Sequence, residues 1–324
     1  MINDLFDAAS RRFGDAQQWL FEAAVQPLMF NAGLGNLLED GFRATGWLLV
    51  GLLQIAVMVT LFGFLERWRP VEPVTDRRAV RVDIVYTLIH RLGLVRVALF
   101  FVVDPLWDLV IGKLRLAGLP TWSLDRLWPG VTDLALVSFV LYLLLFDLVD
   151  YLLHRAQHRY HWWWQLHAVH HSQRQMTLWS DNRNHLLDDL IRDTVFVGVA
   201  LVVGIAPSQF VALVALMQLM ESLSHANVRL SFGPLQRVLV GPQYHRLHHR
   251  IGLGHESAGE GTLGGHNFAV LFPLWDLLFG TARFDGRYEP TGIRDQLPDA
   301  GGRDYGRGFW DQQWLALKRL AGAA

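Results

Sequence analysis

Residues 131 to 171 read VTDLALVSFVLYLLLFDLVDYLLHRAQHRYHWWWQLHAVHH, an apolar run that passes without a break into a dense set of histidines. The stretch from 131 to 153 has the roughly 20 apolar residues that a helix needs to cross a bilayer core. It leads directly into His154 and His158, four residues apart, and then into His167, His170 and His171. A third group, His245, His248 and His249, repeats the HxxHH spacing later in the chain. A neutral imidazole nitrogen binds zinc, iron or copper, and residues three or four apart on a helix share a face. Each group therefore reads as a helical face presenting two or three ligands. Eight ligands exceed the four of a zinc site and the six of an octahedral ion, so two metals are expected to share them. A lone HxxxH arises by chance on surface helices; two copies of HxxHH beside one HxxxH do not.

The rest of the composition agrees with a membrane protein. Of 324 residues, 52% are apolar and only 18% charged, with 13 Trp and 19 Phe, and the mean hydropathy is +0.21. The net charge of −1 gives no electrostatic reason to expect nucleic acid. Cysteine is absent, which excludes disulfides, iron–sulfur clusters, thiolate-ligated haem and a cysteine nucleophile. Any metal is thus expected to be held by nitrogen and oxygen. The opening MINDLFDAASRRF lacks the basic start and apolar stretch of a cleaved signal peptide, so the spans themselves are expected to serve for insertion.

Two more segments reach spanning length: 46 to 65, nearly free of charge, and 92 to 111, which carries only Arg96, Asp104 and Asp108. Shorter apolar stretches, 194 to 206 and 209 to 223, meet at Pro207 and suggest a helical hairpin with His185 before it and His225 after it. The loop from 66 to 91 holds Arg67, Arg69, Arg77, Arg78, Arg81 and Arg91, against Lys113, Arg115 and Arg126 in 112 to 130. Positive charge favours the cytoplasmic side, so the first loop and, by counting spans, every histidine group are expected there. The expected fold is all-α: a polytopic bundle of three spans plus a hairpin, with a cytoplasmic histidine-rich di-metal cap. Its expected parts are 1–130, with an amphipathic start and two spans, 131–285, with the metal site, and 286–324, an interfacial tail built around Trp310, Trp314, Lys318 and Arg319. Trp162, Trp163 and Trp164 are expected near the headgroup level.

Charge inside a membrane helix is costly and usually functional. Asp150 precedes His154 by four residues and Glu221 stands in the same relation to His225, so either carboxylate is expected to accept the outer ring proton of a metal-bound imidazole.

HRAQH, HAVHHS, His225 in SHAN, GPQYHRLHH and the closing WDLLFGT together resemble the fatty acid hydroxylase and sterol desaturase superfamily of integral-membrane di-iron enzymes, over roughly residues 132 to 285. FGPLQRVLVGPQYHRLHH is similar to its bacterial sterol-desaturase-like and alkylglycerol monooxygenase branch. The resemblance implies that His154, His158, His167, His170, His171, His225, His245, His248 and His249 bind two irons. His185 joins this expected set, although the proline that follows the equivalent histidine in relatives is Leu186 here. The loop after the last cluster, IGLGHESAGEGTLGG, also departs from the family's Asn-Tyr-Gly ending, leaving Asn267 as an expected hydrogen-bonding or water-mediated contributor. His255 and His266 are expected to be solvated loop residues, and His90 and His161 structural.

The resemblance further implies O2 as co-substrate, a fatty acyl, sterol or ether lipid as substrate, and a bacterial inner-membrane location. Without a haem segment, a dinucleotide fingerprint or cysteine, electrons are expected from a separate reductase, ferredoxin, cytochrome or reduced pterin. Zinc is an expected substitute for iron on heterologous expression. Two other readings remain open at this stage. A zinc-dependent membrane hydrolase would use Glu221 or Asp150 as base, yet no HExxH occurs. A non-catalytic metal transporter or sensor would place ligands at mid-membrane depth, yet the clusters lie beyond the apolar runs.

Overall fold

The computed structural model describes all residues except 1, 95–102, 119, 121, 252–263 and 324. Among the described residues the chain is all-α, with a single isolated bridge between Arg250 and Thr291 in place of any strand.

Helix α1 (Ile2–Leu20) continues through a π-helical turn and a short helix to Asn31. It lies against the next element, where Gln17 Nε2 donates to the carbonyl of Phe42 at 2.8 Å. That element, α2 (Gly35–Trp68), is 34 residues long and contains a π-helical turn at Met58–Phe62. Only 28% of its apolar window is buried, and Leu52, Leu53, Leu61 and Phe64 are exposed. A core helix of this length in a soluble protein would hide most of that surface, so the exposed side is suited to lipid. Its inner side is close-packed: a Cβ at Gly51 would collide with the carbonyl of Arg91, at the end of α3 (Arg77–Arg91). Asp76 caps α3, accepting from the amides of Arg78 and Ala79.

Of the expected span 92–111, residues 95–102 lie outside the described residues, and the remainder enters α4 (Asp104–Leu116). The second helix long and apolar enough to cross a membrane is α5 (Ala135–Arg159), 39% buried over its window, with Leu136, Val140 and Leu152 exposed. Its backbone breaks at Tyr160, and α6 (His161–His171) begins at once. Only Trp162 of the tryptophan triplet is well exposed; Trp163 and Trp164 are buried, packed into the protein and not at its surface.

Helices α7 (Leu186–Val203) and α8 (Pro207–His225) are joined by three residues. Gly204 takes the left-handed conformation that ends α7, and Pro207 supplies the fixed φ of a first helical position. Phe196 of α7 and Leu213, Val214 and Met217 of α8 pack with Tyr142, Leu143 and Phe146 of α5. Asp188 near the start of α7 bonds His167, and His225 at the end of α8 bonds His170, so the pair runs out from the histidine end and returns to it. Two short helices, α9 (Pro242–His248) and α10 (Leu274–Leu278), follow. The last helix, α11 (Phe309–Leu320), lies along α6, with Ala316 packed on Leu166 and Val169, while Trp310 and Trp314 face outward. The C-terminal region is therefore seated on the histidine-bearing helix α6 as well as presenting an apolar outer edge.

Candidate metal centre

Eight imidazoles gather at the junction of α5, α6, α8 and α9 into two groups of four. His154, His158, His171 and His248 form one, and His170, His225, His245 and His249 the other, with the ligand atoms of each group all within 4.8 Å of one another. No carboxylate belongs to either tetrad among the described residues.

The division follows from helix geometry. Successive residues on an α-helix point about 100° apart, whereas residues four apart nearly coincide in direction. His154 and His158 therefore reach the same site from α5. Within each HxxHH run the two adjacent histidines part company: His170 and His171 serve different tetrads, and so do His248 and His249. Each HxxHH helix thus straddles the pair of sites, which revises the expectation that each cluster serves as one face.

The spacing suits metal ligation. His225 Nε2 stands 3.2 Å from His170 Nε2 and 3.1 Å from His245 Nε2, which is 3.1 Å from His249 Nε2. In the other group His248 Nε2 is 3.2 Å from His171 Nε2. Nitrogens about 2.0–2.1 Å from one ion stand roughly 2.9 Å apart at neighbouring octahedral corners and roughly 3.3 Å apart at tetrahedral ones. The observed separations fall between these values. Burial gives a second test. His154 Nε2 and His167 Nε2 are inaccessible and have no hydrogen-bond partner, a cost that a bound cation removes. Burial first, and neighbouring imidazoles second, push His170, His245, His248 and His249 well below the ordinary histidine range. They are neutral at physiological pH, the state that binds a metal.

The outer ring nitrogens are oriented mainly by backbone. His154 Nδ1 lies 2.8 Å from the carbonyl of Phe268, His248 Nδ1 2.7 Å from that of His266, and His225 Nδ1 2.8 Å from that of Glu221. Such contacts fix the tautomer that presents Nε2 inward. The strap carrying Phe268 is itself held. Asn267, at φ +59°, donates to the carbonyls of Tyr244 and Arg283 and accepts from the amide of Arg283. Asp276 accepts from the amides of Phe268 and Ala269, and Asp147 from those of Leu271 and Phe272 and from Trp275 Nε1. These bonds give the WDLLFGT stretch and Asp147, buried on the apolar helix α5, a physical role.

Several expected site residues stand elsewhere. His185 belongs to neither tetrad: it caps α7 by accepting from the amide of Leu187, and its Nε2 lies 3.1 Å from the carbonyl of Gln313. Asp150 does not reach His154; it accepts two bonds from Arg192, at 2.8 and 2.6 Å, the stronger partner for a buried carboxylate. Glu221 orients His225 through its carbonyl, while its carboxylate faces Arg192 at 3.8 Å. Asn267 is spent on backbone groups and supports the strap. His167 sits beside the first tetrad, its ring 5.2, 5.1 and 5.0 Å from those of His154, His158 and His171. Asp188 holds it: one oxygen lies 3.1 Å from His167 Nδ1, and the other accepts from Gln157 Nε2 and Trp163 Nε1. Asp188 was not singled out in the sequence; its one signal is an acidic residue three positions after His185. His90 faces Asp189, His161 contacts Gln165, and His266 is half-buried and lends its carbonyl to the site. His255 lies outside the described residues.

Fold and site define a class: a membrane-associated helical protein in which two adjoining all-histidine sites can hold a metal pair. The fatty acid hydroxylase family model matches residues 139–281, the histidine-rich region that carries both tetrads. The ornithine lipid hydroxylase OlsE of Rhizobium tropici is 26% identical over 294 residues, covering 89% of this chain and 82% of that protein. Methylsterol monooxygenase 1-1 of Arabidopsis thaliana is 26% identical over 184 residues, 53% of this chain and 57% of its own. The alkylglycerol monooxygenase of Homo sapiens is 28% identical over 135 residues, 42% of this chain and 28% of its own. No solved structure matches the chain.

Proposed function

We propose that this protein is a di-iron oxygenase of the bacterial inner membrane that inserts oxygen from O2 into a C–H bond of a lipid, with its metal site on the cytoplasmic side. The observation that carries the reading is the pair of buried all-imidazole tetrads built on α6 and α9, beside helices whose outer faces suit lipid. In hydroxylation one C–H bond becomes C–OH and the second oxygen of O2 leaves as water, which requires two electrons and two protons. The reading assigns these electrons to an external donor: a reductase, ferredoxin, cytochrome or reduced pterin.

Two irons, when bound, supply the redox capacity to activate O2 against an unactivated C–H bond. The chain's own task is ligation, placement and exclusion of water. His154, His158, His171 and His248 would hold one ion, with His167 as a further donor, and His170, His225, His245 and His249 the other. Neutral ligands leave the metal charge uncompensated, which a carboxylate-rich site does not. His171, His225 and His249 are fully buried, and Phe268 and Trp164 pack against the rings, so bulk water is kept from the centre. A lipid hydroxylase that aligns over most of the chain supports a lipid substrate.

The test joins metal analysis of the purified protein with lipid mass spectrometry of a deletion strain and its complement, grown under 18O2. Two irons per chain and one 18O atom in a lipid present only with the protein are expected. One zinc per chain with no oxidised lipid would sink the reading.

A further inference from the structure

A second polar chamber, distinct from the tetrads, lies where the end of α3, the segment 181–184, the first turns of α7 and the last turns of α8 meet. Its volume is about 40 Å³, room for about three water-sized groups. Asp181, Asp189, Asp193 and Glu221 line it, together with Arg91 and Arg192, and Asp150 stands behind Arg192. Both guanidiniums are committed: Arg91 to Asp181 at 2.8 Å, and Arg192 to Asp150 through two bonds and, at the longer distance of 3.8 Å, to Glu221. Five carboxylates thus face two arginines. Asp189 is 8% exposed, and no hydrogen-bond donor reaches its Oδ2; its nearest charge partner is His90 Nε2 at 3.3 Å. A buried acceptor in a chamber with more carboxyl groups than arginines calls for a cation that also donates hydrogen bonds.

The carboxylates are not arranged for a metal ion. Among the described residues only the two imidazole tetrads bring three or more ligand atoms within 4.8 Å of one another. An ammonium group suits wider spacing, because it reaches each acceptor at hydrogen-bond length and carries three donors. The chamber also adjoins the metal centre: Glu221 lines it, and the carbonyl of the same residue orients His225 of the second tetrad. Along α8 the chamber thus stands about one helical turn from the second tetrad.

We propose that this chamber binds the primary ammonium group of the lipid substrate, with Asp189 and Glu221 as its principal acceptors. The inference rests on the lipid-oxidising function above. Lipids that carry such a group include an aminoacyl lipid of the ornithine type and phosphatidylethanolamine.

The iron-loaded protein, in nanodiscs of phosphatidylglycerol with its electron donor, is given each amine lipid and its N-acetylated form in turn, and oxidation is followed by mass spectrometry. Oxidation of one or both free-amine lipids is expected, and comparing them identifies the source. N-acetylation, Asp189→Asn and Glu221→Gln should each raise KM about tenfold or more, as loss of a charged hydrogen bond does, with two irons retained. Asp189→Asn should add little once the amine is acetylated. Binding of dodecylamine against N-dodecylacetamide reads the chamber without turnover. Equal KM for free and acetylated lipids, or equal affinity for the two amphiphiles, would overturn the ammonium site while leaving lipid oxidation intact. Absence of iron and of all oxidation, with dodecylamine still preferred, would instead remove the proposed function.

Discussion

Replacing Asp188 separates its structural from its electronic contribution. Its carboxylate is buried and accepts from three donors on two helices: Gln157 Nε2 at 2.7 Å, Trp163 Nε1 at 2.6 Å and His167 Nδ1 at 3.1 Å. Alanine would leave all three without a partner, each costing about 1–3 kcal/mol, for a loss on the order of 3–9 kcal/mol. Against a typical total of roughly 5–15 kcal/mol, that is a severe destabilisation. Asparagine keeps the shape and one acceptor oxygen, so Gln157 and Trp163 stay satisfied. Its amide then faces His167 Nδ1, which is relieved only if the imidazole proton moves to Nε2, the nitrogen that points toward the first tetrad. Asp188→Asn should therefore fold nearly normally yet weaken the first metal by about tenfold to a hundredfold, or about 1.4–2.7 kcal/mol. Thermal unfolding in detergent reads the first quantity, and iron retention during stepwise chelator dialysis the second. If Asp188→Asn held both irons as tightly as the parent, the argument that Asp188 sets the tautomer of a metal-facing His167 would be wrong.

His248→Ala and His225→Ala each remove a ligand from a different tetrad; both should abolish oxidation and lower bound iron without preventing membrane insertion, measured by elemental analysis of membrane-extracted protein. Two retained irons in either variant would contradict the assignment of that residue. His185→Ala should keep both irons and lose about 1–2 kcal/mol from the missing cap of α7, so metal loss comparable to His225→Ala would return it to the ligand set. The metal-free protein should also be acid-sensitive. His170, His245, His248 and His249 have folded pKa values depressed below the unfolded value of 6.5, so the unfolded chain binds more protons as pH falls. Stability is full above about 6.5 and declines below it, by up to about 1.4 kcal/mol per pH unit for each histidine. A melting temperature of the metal-free protein that is flat from pH 8 to 5 would show that these rings are not neutral because of burial.

Much of this was legible because the local rules are strong. Apolar length marked residues 46–65 and 131–153, where the two helices long and apolar enough to cross a membrane lie, and histidine spacing marked the imidazoles that gather into two tetrads, since a helix converts i, i+3 and i+4 into proximity. Pro207 and the flanking histidines foretold a helical pair whose ends meet. What escaped the sequence depends on tertiary direction. Asp150 sits four residues before His154, as a ring-orienting carboxylate should, yet Arg192 from another helix takes it. The residues that do orient rings are mostly backbone carbonyls, which no sequence letter records. Asp188 is separated from His167 by 21 positions, so the pairing exists only once α6 and α7 are docked. His185 satisfied the pattern of a ligand, but its two nitrogens are engaged by a helix start and by the C-terminal helix.

The parting of neighbouring histidines on α6 and α9 would make two bound ions mechanically inseparable. Neither helix can rotate or slide to improve the grip on one ion without disturbing the other, because His170 and His171, like His248 and His249, share a backbone. The spacing of the two tetrads is thus written into the pitch of two helices. Emptying one site frees both helices at once, so loading is expected to be cooperative, with singly occupied protein scarce at equilibrium.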